Sequence, residues 1–247
     1  MRILLTNDDG IGSRGLAALV RVLGERHEIY VIAPTTQRSA TGHGISVHAP
    51  ITYSRLFSDD CKLRISADGT PADCVKMAVL HFMKDCPPDL VVSGVNEGPN
   101  VGSDVIYSGT VSAALEGAYL GLPSIAVSNV ARDNAEGYEL AARLVSDKLD
   151  DLLSLGLPAY TALNINYPSA RAKGIKIVRA AINHYSDRYS EVDERSLGIS
   201  GEPISEGMDE DTDVAQIAKG YATVTPITLD RNDHAFLNVM KRNMKLE

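Results

Sequence analysis

Residues 2–6, Arg-Ile-Leu-Leu-Thr, run apolar without the alternation of a half-exposed strand, then stop at Asn7-Asp8-Asp9-Gly10. Such a run reads as a parallel strand buried on both faces, which needs helices packed on each side of its sheet. Comparable runs recur at 28–33, 89–93 and 124–128, with helical periodicity between them. Segment 14–24 places Leu16, Leu19, Val20 and Leu23 on one face behind Ser13 as N-cap. Thr70-Pro71 opens a second helix with Val75, Ala78, Val79 and Phe82 inward, and a third starts near Thr110 with Val111, Ala114, Leu115 and Ala118 as its stripe. A long fourth helix spans 134–154, announced by Asp133 and Glu136. Strand and helix alternating through short connections predict an α/β fold with a parallel sheet covered on both faces.

Elsewhere the rhythm is looser. Two hairpin strands are expected around 45–56 and 62–66, further strands at 160–166, 175–181 and 221–227, a short helix at 213–219 and a last amphipathic helix from about 233. The chain therefore divides into an α/β domain, residues 1–182, and an extension, residues 183–247. Its strand and final helix look too apolar to float free, so the extension is expected to dock on a neighbouring subunit. The formal charge of −8 is local: between Asp187 and Asp213 stand ten acids and two arginines, and the remainder is formally neutral. A neutral body tolerates a phosphorylated metabolite but has no basic stripe for a nucleic acid polymer. No stretch reaches the roughly 18 apolar residues of a membrane span, and the N-terminus has no leader pattern. No membrane partner and a cytoplasmic location are the expectation. Cys61, Cys74 and Cys86 are odd in number and widely spaced, so reduced thiols are expected.

In open parallel sheets ligands bind at the carboxyl ends of the strands. The loops there carry Asp8 and Asp9, Ser39, Asn96 and Asn100. Carboxylate, hydroxyl and carboxamide oxygens suit Mg²⁺ or Mn²⁺, and the lack of clustered Cys or His argues against zinc. Asp-Asp-Gly also suits a solvated turn, but two adjacent carboxylates repel each other unless a cation or donors compensate. Ser108-Gly109-Thr110 offers two hydroxyls, free backbone N–H groups and a helix N-terminus, an arrangement suited to phosphate. The glycines at 94, 98 and 102 suggest backbone wrapped close to a ligand. His43 and His48 read as surface or hairpin residues and His81 as structural, while Arg38 is a candidate contact beside Ser39.

Together the blocks TNDDGI (6–11), APTTQRSATG (33–42), GTPADCV (69–75), SGVNEGPNVG (93–102), YSGTVSAALEG (107–117), GLPSIAVS (121–128), LNINYP (163–168) and GYATVTPI (220–227) resemble the SurE nucleotidase family, in its order. The resemblance implies a Rossmann-like three-layer α/β/α sandwich with a C-terminal oligomerisation extension, forming homodimers or homotetramers through exchanged C-terminal elements. It implies one divalent cation per subunit on Asp8, Asp9, Ser39 and Asn96, with Ser108, Gly109 and Thr110 facing phosphate and Asn100 in the active-site loop. The implied activity is hydrolysis of nucleoside 5′- and 3′-monophosphates, extending in some members to short polyphosphate, with Asp8 and Asp9 as catalytic carboxylates. Glu97 departs from the His that many bacterial members carry there, and the acidic segment 183–213 falls in the family's variable extension.

Two rivals remain open on the sequence. An aspartyl-phosphate phosphatase of the haloacid-dehalogenase type wants Asp-x-Asp after the first strand, whereas these acids are adjacent. A non-catalytic nucleotide- and metal-binding module would show affinity without phosphate release, yet the chain lacks G-x-G-x-x-G.

Overall fold

The computed structural model describes residues 1–204 and 209–244. Glu206 of the acidic run and residues 245–247 of the expected extension lie outside the described residues.

The strands are β1 (Arg2–Thr6), β2 (Glu28–Pro34), β3 (Tyr53–Arg55), β4 (Leu63–Ala67), β5 (Leu90–Glu97), β6 (Ser124–Asn129), β7 (Thr161–Tyr167), β8 (Ile175–Ile177), β9 (His184–Tyr185), β10 (Arg188–Asp193), β11 (Ser196–Ser200), β12 (Pro203–Ile204) and β13 (Ala222–Thr228). The helices are α1 (Arg14–Gly24), α2 (Pro71–Met77), α3 (Gly109–Tyr119), α4 (Ala135–Ser154), α5 (Asp213–Ala218) and α6 (His234–Asn243). Nine strands form one sheet in the order β3-β4-β2-β1-β5-β6-β7-β13-β8. From β4 to β7 all neighbours are parallel, while β3 and β13 run antiparallel to β4 and β7.

The burial of β1 explains its unbroken apolar run. Ile3 and Leu5 face α1 and α4, while Leu4 faces the opposite layer with Val75 of α2 and Ala113 of α3. Leu16, Leu19 and Leu23 of α1 are fully buried, each contributing on the order of 2 kcal/mol of apolar transfer. These two helical layers confirm the three-layer sandwich. Connections from β1 lead to β2 on one side, and the chain returns to β5 on the other, so order reverses between β1 and β5. That is the crevice where a doubly wound sheet opens for a ligand.

The structure corrects several expectations. Strand β13 does not dock on a neighbour: it pairs with β7 from Thr223↔Asn166 to Thr228↔Thr161, completing its own sheet. The unpaired edge of β7 is the nearest source of backbone partners for this strand. The final helix, α6, does stay open, with no buried residue. Residues 45–52 are not strand, because Ser46 gives both its N–H and its hydroxyl to the Asp73 carboxylate instead of to a ladder. Asn134, not Asp133, caps α4. Helix α2 widens into a π-type turn over Ala78–Phe82. The strand expected at 89–93 continues to Glu97 and carries part of the glycine-rich loop into the sheet. Gly94 has φ +141°, and a Cβ there would lie 2.2 Å from the Val127 carbonyl oxygen.

Candidate active site

The site is built where β1 and β5 end and α3 begins. Asn7, fully buried, shapes the turn after β1: its side-chain amide donates to Gly10 O at 3.1 Å and Ser13 Oγ at 2.7 Å, and its Oδ1 accepts from Gly10 N–H at 3.2 Å. This fixes the two carboxylates that follow. Asp8 is buried, and its Oδ1 accepts the Thr110 hydroxyl from α3. Thr110 Oγ1 also lies 3.4 Å from Asn96 Oδ1, and Asn96 donates to Gly98 O at 2.9 Å. Asp9 Oδ2 accepts the Glu97 N–H at 3.0 Å. On its other side the Gln37 amide reaches Asp9 Oδ1 at 3.5 Å and Ser39 Oγ at 2.9 Å. Asp8 and Asn96 are thus joined through Thr110, and Asp9 and Ser39 through Gln37.

The electrostatics suit a cation. Burial pushes the Asp8 carboxyl upward against hydrogen bonds from Thr110 and from backbone N–H groups including Gly109. Burial likewise pushes Asp9 up to about 6, opposed by the Glu97 N–H and aided by the charges of Asp8 and Glu97. Among the described residues no ion pair joins either acid to Lys, Arg or His. No cluster of three His, Cys, Asp or Glu side chains suited to a metal occurs among them either. The carboxylate, hydroxyl and carboxamide oxygens of Asp8, Asp9, Ser39 and Asn96 are of the type that a hard divalent ion accepts.

Gly109 permits the close approach of α3. A Cβ there would stand 2.8 Å from Asp8 Cβ and 3.0 Å from its Oδ2. Ser108 is the N-cap, its Oγ accepting from Val111 N–H at 3.1 Å. The Thr110 hydroxyl is spent on Asp8, and the backbone N–H groups of Gly109 and Thr110 also turn toward that carboxylate. Asn100 is buried and fully engaged: its N–H and carbonyl meet Asn166 and Asn164, and its amide donates to Ser128 Oγ at 2.9 Å. It holds the active-site loop down onto β6 and β7.

Several supporting residues escaped the sequence. Asp213, the last acid of the acidic run, is completely buried and accepts the N–H groups of Gly102 at 2.8 Å and Ala181 at 2.9 Å. Glu116 of α3, also buried, binds His43 Nε2 and Lys76 Nζ, each at 2.8 Å. Burial disfavours its charge, but those two partners prevail and hold the carboxyl below its ordinary range. His43 is thereby a half-buried anchor of the Ser39 loop rather than a surface residue. Arg38 pairs with Asp68 while its N–H donates to Asp8 O at 2.7 Å. Glu97 Oε1 accepts Asp133 N–H at 2.7 Å, tying the loop before α4 to the strand end that holds Asp9. Gln37, two residues before Ser39, offered a signal: a long amide within reach of both Asp9 and Ser39.

Comparison with known proteins identifies the family. Residues 3–187 match the family described as Survival protein SurE. The 5′-nucleotidase SurE of Carboxydothermus hydrogenoformans is 44% identical over 99% of this chain and 97% of its own. That of Pseudothermotoga lettingae is 43% identical over 97% and 93%. The crystal structure of the SurE protein from Aquifex aeolicus superposes with a TM-score of 0.86 at 37% identity, covering 98% of this chain and 99% of that one. With eight motifs in order, the crevice between β1 and β5, and full-length relatives at this identity, the chain belongs to the SurE family.

Proposed function

We propose that this protein is a divalent-metal-dependent 5′-nucleotidase, hydrolysing nucleoside monophosphates to nucleoside and phosphate. The observation that carries the reading is the juxtaposition of two desolvated carboxylates, Asp8 and Asp9, with the N-terminus of α3, joined by the Thr110–Asp8 hydrogen bond. In this reading Asp8, Asp9, Ser39 and Asn96 hold one Mg²⁺ or Mn²⁺ per subunit. The ion supplies Lewis acidity toward a phosphoryl oxygen and toward water.

The chain's own groups do the rest. The Ser108 hydroxyl and the dipole of α3 orient the remaining phosphoryl oxygens, while the N–H groups of Gly109 and Thr110 hold the Asp8 carboxylate beside that turn. Because these donors are fixed by packing, they meet developing charge without reorganising. A carboxylate oxygen of the Asp8–Asp9 pair would take the proton of the attacking water as the P–O bond to the nucleoside breaks, and that proton would pass to the departing nucleoside oxygen. Asn100 and Asn96 keep the loop from relaxing. The same reading places the protein in the cytoplasm as a homodimer or homotetramer, with the β10–β11 hairpin and α6 of the 183–247 extension contacting a second copy; no helix among the described residues is long and apolar enough to cross a membrane.

The test is phosphate release from AMP by the full chain across a Mg²⁺ and Mn²⁺ titration, with Asp8→Asn and Asp9→Asn alongside. Both substitutions are expected to abolish cation-dependent release. Retained turnover would reject the site, and tight nucleotide binding with no release by the wild type would favour a binding module instead.

A further inference from the structure

The cation site and the phosphate turn leave the nucleoside without a partner. Tyr107 immediately precedes the cap Ser108, and its ring is 63% exposed. Its backbone is held at both ends: the N–H donates to Asp104 O at 3.0 Å, and the carbonyl accepts Gly42 N–H at 3.0 Å from the Ser39 loop. Beside it Ile106 is 58% exposed. A large aromatic ring left in water on a fixed backbone forgoes burial and has little further freedom to lose when a flat partner covers it.

Other surfaces fit a base less well. A cavity of about 300 Å³ flanks Asp9, but Asp9, Glu97 and Asp133 line it, and Arg14 there is paired with Asp133. The aromatic residue of that cavity, Tyr138, is 4% exposed, with burial and the charges of Glu97 and Asp9 pushing its hydroxyl up to about 12. It shows no ring face. The larger cavity, about 650 Å³, lies at the opposite end of the sheet, among Leu120–Pro123 and Pro158–Thr161. Phosphate and base in a nucleotide are separated by one sugar ring, a gap that one residue of chain and an aromatic side chain span.

We propose that Tyr107 is the nucleobase platform of this site, its ring stacking on the base of a nucleoside monophosphate whose phosphate lies at Ser108–Thr110. The proposal rests on the nucleotidase reading above. Stacking is tolerant of base identity, since every base has a π-face, so the platform favours nucleotides over base-free phosphomonoesters without choosing strongly among bases.

Steady-state kinetics on the full chain with saturating divalent cation test it, comparing AMP with ribose 5-phosphate. Tyr107→Ala is expected to raise KM for AMP by about tenfold, on the scale of one base–aromatic stack, with kcat nearly unchanged. Ribose 5-phosphate, which has no base, is expected to shift less than about twofold, and Tyr107→Phe to restore AMP to wild-type values. An equal loss on both substrates would make the ring a prop of the phosphate turn and overturn the proposal, as would an unaltered KM for AMP. A parallel loss accompanied by a change in solution mass would make Tyr107 a subunit contact, which overturns it equally. Wild-type protein that hydrolyses neither substrate would instead overturn the nucleotidase reading, and the platform with it.

Discussion

The rim of the sheet around β1, β5 and α3 and the outlying hairpin β10–β11 with α6 are organised in opposite ways. At the rim, Asn7, Asp8, Asn96, Asn100 and Thr110 are buried and hydrogen-bonded, Asn7 within its own turn and the others to residues of other elements. In the hairpin β10–β11 and in α6, Tyr189, Leu197, Ile199 and Phe236 stand exposed, and α6 buries nothing. The rim is assembled within one chain and stores polar tension in carboxylates held out of water. The hairpin and α6 are relaxed but leave apolar surface in water. A site evolves toward function by accepting local electrostatic cost, whereas an exposed apolar face remains unfinished until it is covered.

The contrast is sharpest if the acids at the rim are changed. Asp8→Asn should lower cation-dependent phosphate release by about a thousandfold or more, the scale of losing a preorganised charge at a reacting centre. A phosphate-release assay with AMP checks this; a loss under about tenfold would break the idea that the rim's tension serves catalysis. Glu116→Ala should cost about 3 kcal/mol by urea unfolding, because it strands Lys76 beside a closed core and frees His43 of the Ser39 loop. Asp213→Asn should cost about 1–2 kcal/mol in the same measurement, since its amide group would face N–H donors, and should raise the cation concentration needed for half-maximal activity by loosening Gly102.

A smaller effect separates stability from activity. The folded Asp9 carboxyl lies above its ordinary range, at about 6, so in chelated protein the native state keeps a proton that the unfolded chain has released. Stability therefore falls as pH rises from about 4 to 6 and stays lowered above that window. Asp9→Asn should remove this slope and gain about 1 kcal/mol at pH 7 while abolishing turnover, and a divalent cation should stabilise the wild type alone. Unfolding midpoints at pH 4.5 and pH 7, with and without chelator, decide it. Smallest of all, Phe236→Ser on α6 should change single-chain stability by less than about 0.5 kcal/mol, as for other exposed positions. If it instead destabilises strongly in dilute solution, the C-terminal helix is not free of its own chain and the contrast fails.

How far the sequence revealed these regions depends on the range of the contacts. Periodicity along the chain located β1, α1, β2, β6 and α4 because each depends mainly on its own apolar pattern. The Asp8–Asp9 pair and the Ser108 cap were legible for the same reason: their chemistry is written in adjacent residues. Glu116 and Asp213 were not, since each occupies a position that local pattern assigns to solvent, and their burial follows from His43, Lys76 and Gly102 arriving from 40 to 111 residues away. The register of β13 was hidden likewise, because an alternating strand does not name its neighbour. The Asn164–Asn166 contacts to Asn100 needed two strands to be side by side before the amides had a common target.

The clamp of Asp213 on Gly102 has a temporal consequence. During synthesis Asp8 and Asp9 emerge about two hundred residues before the carboxylate that fastens the Gly102 loop. Until Asp213 has emerged the Gly102 loop lacks this fastening, so a product cut short at residue 182 would carry Asp8, Asp9, Ser39 and Asn96 yet keep that loop unanchored.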